Sequence, residues 1–368
     1  MFKYESVKQF LLEEMKQLEA GRRMPSVRSL SSRLHVSVAT VLRALQELEQ
    51  QKLIKRFQGS GTVALNPDSM DATELEKGDS ARPVIIASVD WPNEFIWATN
   101  HALEYTLQDY GYLAANYRIS QGMRVRDVCD FVKRWNHPCH GLVISGLIGR
   151  ISQEEWRMLR QFPFRVALLD VSDIGNEAMM PDNCCLFIND PEQSAELVVD
   201  YLARRGHRSI GFLRNEPGVD FAVRQIRQIE KSARERGMSF DSSHVLSRPV
   251  HPFDNSLEIA HKIIQDNMER VRDLEITAIF GLSSYGIFAI VNPLREAGFR
   301  VPEDISLVGQ GDFMLCKHLS PPLTVLNVDL TAKINRLVRW LDGEAMPSQH
   351  VLSQLELVER RSVADLSK

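Results

Sequence analysis

From Pro83 to the C-terminus, short apolar runs alternate with stretches of helix length, and this alternation limits the fold more than any other feature of the sequence. The runs cover residues 84–89, 141–144, 165–169, 184–188, 209–213, 277–280 and 305–308, and helical patterns fill 94–110, 191–205, 221–236 and 257–271. A strand that is apolar along its whole length must be buried on both faces, which implies parallel sheets covered by helices. About 285 residues are too many for one such sheet. Two lobes with a cleft between them are therefore expected.

Residues 1–65 follow a different pattern. Val7, Phe10, Leu11, Met15 and Leu18 recur at helical spacing. Pro25-Ser26 opens a second helix with Val27, Leu30 and Leu34 on one face, and His35-Val36-Ser37 ends it. Ser37 suits the N-cap of a third helix over 38–50, with Val41, Leu45 and Leu48 inward and Thr40, Arg43 and Gln46 outward. Leu53 to Phe57 and Thr62 to Leu65 then flank Gln58-Gly59-Ser60-Gly61, a strand, glycine turn and strand. Helix, turn, helix and wing place the third helix to meet base edges in the major groove, while Arg28, Arg33, Lys55 and Arg56 meet phosphates.

Charge supports the same partition. The chain of 368 residues carries a net −4. Residues 1–65 hold 11 Lys or Arg against 6 Asp or Glu, a net of +5, which leaves −9 on the rest. A basic head on an acidic body marks a local polyanion site. Residues 66–82 are polar and acidic and read as a linker. No run of about 18 apolar residues is present, so no membrane partner is expected. The N-terminus shows no apolar targeting segment, and five scattered cysteines fit reduced thiols, so a cytoplasmic location is expected.

Four motifs of the head, in order, carry a resemblance: Met24-Pro25-Ser26-Val27-Arg28-Ser29-Leu30, Val36-Ser37-Val38-Ala39-Thr40-Val41, Ala44-Leu45-Gln46-Glu47-Leu48 and Gly59-Ser60-Gly61-Thr62-Val63. They resemble the GntR-type winged helix family over about residues 8–64. The resemblance implies that Arg28, Ser37, Thr40 and the Gln58-Gly59 wing contact double-stranded operator DNA. The family usually has arginines where this chain has Val38 and Leu42, with Arg43 one place on, so Arg43 is the remaining basic candidate on that helix.

The body carries a second series: Leu168-Leu169-Asp170-Val171, Asn189-Asp190-Pro191, Gly206-His207-Arg208-Ser209-Ile210-Gly211, Val301-Pro302-Glu303-Asp304-Ile305-Ser306 and Pro321-Pro322-Leu323-Thr324-Val325. These resemble the effector domain of the LacI/GalR repressors, whose fold is that of periplasmic binding proteins. With a GntR-type head, the architecture resembles the arabinose-repressor class. The fold class expected is thus α/β, a winged helix-turn-helix followed by a two-lobed domain with parallel sheets. The first lobe is expected at about 83–187 and 325–345, and the second at about 188–324 and 346–368.

The resemblance implies a homodimer whose lobes close on a small polar effector, a sugar or sugar derivative. Asp170 matches a residue that accepts hydrogen bonds from sugar hydroxyls, and the ligand-clamping arginine falls at Arg224 or Gln225. Ser283 and Gly311 stand where the family has Asn and an acidic residue, with Asp312 beside the latter. Trp91 and Phe95 are candidates to pack on the ligand, whereas Trp97 and Phe253 are expected in the core. The alternative is an enzyme with an active site in the cleft. The sequence offers no nucleophile elbow or P-loop, and Gly309-Gln310-Gly311 lacks the third glycine of a dinucleotide site. His137-Pro138-Cys139-His140 matches no common zinc spacing. No metal or cofactor is expected, and His207 is assigned a structural role.

Overall fold

The computed structural model describes residues 7, 8, 10, 11, 27–34, 36, 40, 41, 44, 45, 48, 54–57, 61–64, 83–91, 93–135, 138–171, 173–217, 219–251 and 253–367. The linker expected at 66–82 lies outside them. In the head, α1 (Val27–Leu34) precedes a hairpin of β1 (Ile54–Phe57) and β2 (Gly61–Ala64). Val7, Leu11, Leu30, Val41, Ala44, Leu45 and Leu48 form one buried cluster, with Phe10, Leu34 and Val36 packed against it. Val7, Phe10, Leu11, Leu30, Leu34, Val41, Leu45 and Leu48 are inward positions that the helical spacing selects, and Ala44 and Val36 join them.

The body contains two six-stranded sheets. Its first part runs β3 (Val84–Val89), α2 (Glu94–Asp109), β4 (Ala114–Ile119), α3 (Val125–Arg134), β5 (Gly141–Ser145), α4 (Gln153–Arg160), β6 (Arg165–Leu169) and β7 (Cys184–Asn189). Next come α5 (Pro191–Arg204), β8 (Ile210–Arg214), α6 (Val219–Glu235), β9 (Val245–Ser247), α7 (Ser256–Asp266), α8 (Met268–Asp273), β10 (Ala278–Gly281), α9 (Ser284–Glu296), β11 (Ser306–Gln310) and α10 (Met314–His318). The chain ends with β12 (Thr324–Val328), α11 (Leu330–Leu341), β13 (His350–Ser353) and β14 (Leu355–Val358).

The first sheet has the order β13-β7-β6-β5-β3-β4, and the second β14-β12-β11-β10-β8-β9. All pairings are parallel except β12 with β14. Central strands such as β5 and β7 are buried at every residue, which explains their unbroken apolar runs. Helices cover both faces of each sheet.

The division between lobes departs from expectation at the C-terminal end. β12 belongs to the second sheet and β13 to the first, so the chain crosses after Val328 and again between Ser353 and Leu355 rather than near 325 and 346. The cause is pairing: Thr324 continues parallel to Val308, whereas His350 lies beside Leu186. The helical pattern over 257–271 also divides. Asn267 ends α7 and its side chain donates to the Ile263 carbonyl at 2.8 Å, a local bond that competes with the helix.

Candidate functional site

In the head, Val36 N donates to the Ser31 carbonyl at 3.2 Å and Ser31 Oγ donates to the Val36 carbonyl at 2.7 Å, closing the turn after α1. The Arg33 guanidinium lies 5.2 Å from the centre of the Phe10 ring. In the hairpin, Ile54 pairs with Ala64 and Phe57 with Gly61. Of the expected DNA contacts, Arg28 stands on α1 and Thr40 is half-buried in the following helical stretch. Ser37, Arg43, Gln58 and Gly59 lie outside the described residues.

In the body, a cavity of about 140 Å³ opens where the C-terminal ends of strands from both sheets converge. Trp91 follows β3, Asp170 follows β6, Asn189 ends β7, Glu216 follows β8, Ser283 follows β10 and Gln310 ends β11. This is where open parallel sheets bind ligands, because the crevices beyond the carboxyl ends expose backbone and side-chain polar groups together. Its volume is roughly ten times what one water needs.

Asp170 turns the chain at the end of β6 with φ +51°, a backbone conformation uncommon for residues other than glycine. Lys333 reaches it from α11, with Nζ 2.5 Å from Asp170 Oδ1 and 3.2 Å from Asn189 Oδ1. The same ammonium lies 5.8 Å from the centre of the Phe95 ring. Asp170 Oδ2 is buried without a hydrogen-bond partner. Burial pushes the Asp170 carboxyl up and the Lys333 ammonium down, each opposed by the charge of the other.

The opposite wall is built on Glu216. Burial pushes its carboxyl up to about 7, against hydrogen bonds from Ser283 and Asn93. Asn93 Nδ2 donates to Glu216 Oε1 at 3.1 Å. Asn93 follows β3 of the first sheet and Glu216 follows β8 of the second, so this bond spans the cleft. Ser283 Oγ caps α9 by accepting from Gly286 N at 3.1 Å. A second cross-cleft bond runs from Trp91 Nε1 to the Asp254 carbonyl at 2.7 Å. Beside it Phe253, with φ +74°, packs against the core of the first lobe.

Trp91, Phe95, Asp170 and Ser283 all line the cavity, whereas two expected residues do not. Arg224 makes a two-pronged ion pair with Glu192 at 2.8 Å on both oxygens, joining α6 to α5, because its register on α6 points it along the helix pair. Gln225, the alternative in that register, is buried and donates to Ser194 Oγ at 2.6 Å and Gln310 Oε1 at 3.1 Å. Asp312 is held by Arg360 at 2.7 and 2.8 Å, away from the lining. The φ of +93° at Gly311 turns the chain just before it. Trp97, expected in the core, is 53% exposed on α2.

Sequence reasoning passed over Lys333, Glu216, Asn93, Asn189 and Gln310. A signal existed for the first: Lys333 shares the buried face of α11 with Ile334, Leu337 and Val338, and a charge in an apolar stripe needs a partner. His207 is buried with Nδ1 2.9 Å from Thr277 Oγ1, in the structural role assigned to it. His137 lies outside the described residues, and His140 sits 3.3 Å from Asp342. Among the described residues no three His, Cys, Asp or Glu side chains gather as a metal site requires.

Residues 3–63 match the family of bacterial regulatory proteins, gntR family, and residues 199–363 match the periplasmic binding protein-like domain. The arabinose metabolism transcriptional repressor of Geobacillus stearothermophilus is 24% identical over 88% of this chain and 86% of its own length. The HTH-type transcriptional repressor PurR of Vibrio atlanticus is 27% identical, over 43% of this chain and 44% of its own. Among solved structures, the LacI family regulator CCPA of Weissella paramesenteroides, with bound glucose, superposes with TM-score 0.63 at 16% identity, covering 78% of this chain and all of that one. The Escherichia coli transcriptional repressor ascG superposes with TM-score 0.61 at 15% identity, over 77% of this chain and 99% of its own. The chain thus joins a GntR-type head to a periplasmic-binding-protein-like domain. Its curated relatives are transcriptional repressors rather than enzymes.

Proposed function

We propose that this protein is a transcription repressor whose head binds operator DNA and whose body senses a small polar ligand in the cleft. The carrying observation is a cavity built from strand ends of two separate sheets and spanned, among the described residues, by the bonds from Asn93 to Glu216 and from Trp91 to Asp254. A ligand that favours one arrangement of the lobes can then shift the protein between two states, whereas equal affinity for both would shift nothing. A coupling of about 1–3 kcal/mol would change operator affinity roughly 5–150-fold.

The arabinose repressor among its relatives and the glucose held by a structural neighbour support a sugar or sugar derivative as effector. Asp170 Oδ2 accepts a ligand hydroxyl, Trp91 and Phe95 pack on the apolar face, and Ser283 lies within reach from the second lobe. Arg28, Ser37, Thr40, Arg43 and the Gln58-Gly59 wing contact DNA, by analogy with the family of the head. The protein acts in the cytoplasm as a homodimer that reads an inverted repeat, one half-site per head. The dimer is supported by Trp97 and Tyr105, which stand eight residues apart on α2 and are 53% and 49% exposed.

The test is a gel shift with DNA from upstream of the protein's own gene, with and without a panel of sugars. Arg28→Ala should weaken binding and lower the salt slope by about one if it meets a phosphate. Unchanged affinity after removal of residues 1–65, or no response to any ligand, would reject the reading.

A further inference from the structure

Among the described residues, the lining of the cavity carries two carboxyl side chains, Asp170 and Glu216, and no Lys, Arg or His. The two carboxyls differ in what they already hold. Asp170 has its charge matched by Lys333 behind it, and only its Oδ2 lacks a partner. Glu216 has two neutral neighbours, Asn93 and Ser283, and both donate to it. The N-terminus of α9 would otherwise attract an anion, but through Ser283 it already faces the Glu216 carboxyl. Around these groups the walls are apolar and aromatic, with Trp91, Phe95, Ile96, Val171, Phe221 and Leu282. Acids and aromatic faces without a basic side chain attract a cation and repel an anion, while phosphate recognition relies on Arg or Lys donors.

Resting on the reading of this cavity as the effector site, we propose that the effector carries a protonated amine, as an amino sugar does. The ammonium pairs with Glu216, a hydroxyl donates to Asp170 Oδ2, and the carbon skeleton lies on Trp91 and Phe95. Above about pH 7, where Glu216 is ionised, a sugar phosphate is excluded, because its charge would meet a carboxyl with no compensating base.

The experiment is calorimetry on the full chain with matched triplets: glucose, glucosamine and glucose 6-phosphate, then galactose, galactosamine and galactose 6-phosphate. The amine of at least one triplet should bind tenfold or more tightly than its neutral counterpart, and neither phosphate should bind. Glu216→Gln should remove that advantage, so that amine and neutral sugar bind alike, and Glu216→Asp, which keeps the charge, should retain part of it. Thermal unfolding of both variants checks that the fold persists. A neutral or phosphorylated sugar that binds as tightly as the amine, or an amine advantage that survives Glu216→Gln, overturns the proposal. If a neutral sugar binds in the cleft and changes operator affinity, this inference fails while the proposed function stands. If no sugar of any charge binds or alters operator affinity, both fail.

Discussion

Lys333 Nζ lies 2.5 Å from Asp170 Oδ1, an ion pair that ties α11 to the end of β6 across 163 positions of sequence. Both groups are largely out of water, so each charge depends on the other. Removing one partner of such a pair leaves an uncompensated buried charge and costs about 3–5 kcal/mol, whereas removing both costs far less. Lys333→Met should therefore lower the denaturant midpoint sharply, and Lys333→Met with Asp170→Asn should recover much of it. Urea unfolding of the two variants and wild type checks this. Equal midpoints for the single and double variants would mean that the pair contributes nothing specific.

Glu216 should make stability fall as pH rises. Its folded carboxyl sits at about 7, above the ordinary value of 4.5, so the folded state holds a proton that the unfolded state has released between these values. Stability from this group is complete below about 4.5 and is lost as pH climbs through about 7. The loss is on the order of 3 kcal/mol, from about 1.4 kcal/mol for each unit between the two values. Glu216→Gln has no such proton to lose. The difference in unfolding free energy between variant and wild type should therefore grow in the variant's favour from pH 5 to pH 8, and a difference independent of pH would contradict the assignment.

The parts of this fold legible in the sequence are those where one local rule decides. β5 and β7 read directly because burial on both faces leaves an unbroken apolar run. β4 does not, because as an edge strand it alternates Asn116 and Arg118 with apolar neighbours and is only partly buried. The same contrast holds in the site. Asp170 directly follows β6, and Trp91 and Ser283 stand two residues beyond β3 and β10, so their place at the cleft follows from strand polarity. Arg224 and Asp312 lie away from the cavity lining because helix register and the turn at Gly311 set their direction, and sequence offers their partners, Glu192 and Arg360, only as distant residues of opposite charge. Lys333 reaches the site through the same long-range closure that returns α11 to the first lobe after β12.

Trp91→Phe should loosen the closed cleft without emptying its wall. The substitution keeps the aromatic body but deletes the Nε1 donor to the Asp254 carbonyl. One neutral hydrogen bond is worth about 0.5–1.5 kcal/mol, which favours the open arrangement a few-fold. Small-angle scattering of the ligand-free protein should show a larger radius of gyration in the variant, with the difference closing when ligand saturates the cleft. An unchanged radius would mean that the Asn93–Glu216 bond and Phe253, packed on the first lobe's core, hold the lobes together without it.

Trp97→Glu on the exposed face of α2 should yield a folded monomer. Trp97 and Tyr105 stand two helical turns apart on one face, and the His101 ring lies between them, edge-on to Tyr105 at 4.5 Å. Trp97 leaves about half of its surface open to water, so a charge there should lower the unfolding midpoint far less than one in the core. Placed in an interface, the same carboxylate would have no partner and would face its symmetry copy across a two-fold axis. Sedimentation at micromolar concentration should show the variant at half the mass of wild type. Operator affinity should then fall far more than affinity for an isolated half-site, because the second head no longer binds at the high effective concentration that a dimer provides. A variant that remains dimeric and keeps full operator affinity would move the subunit interface off this face of α2.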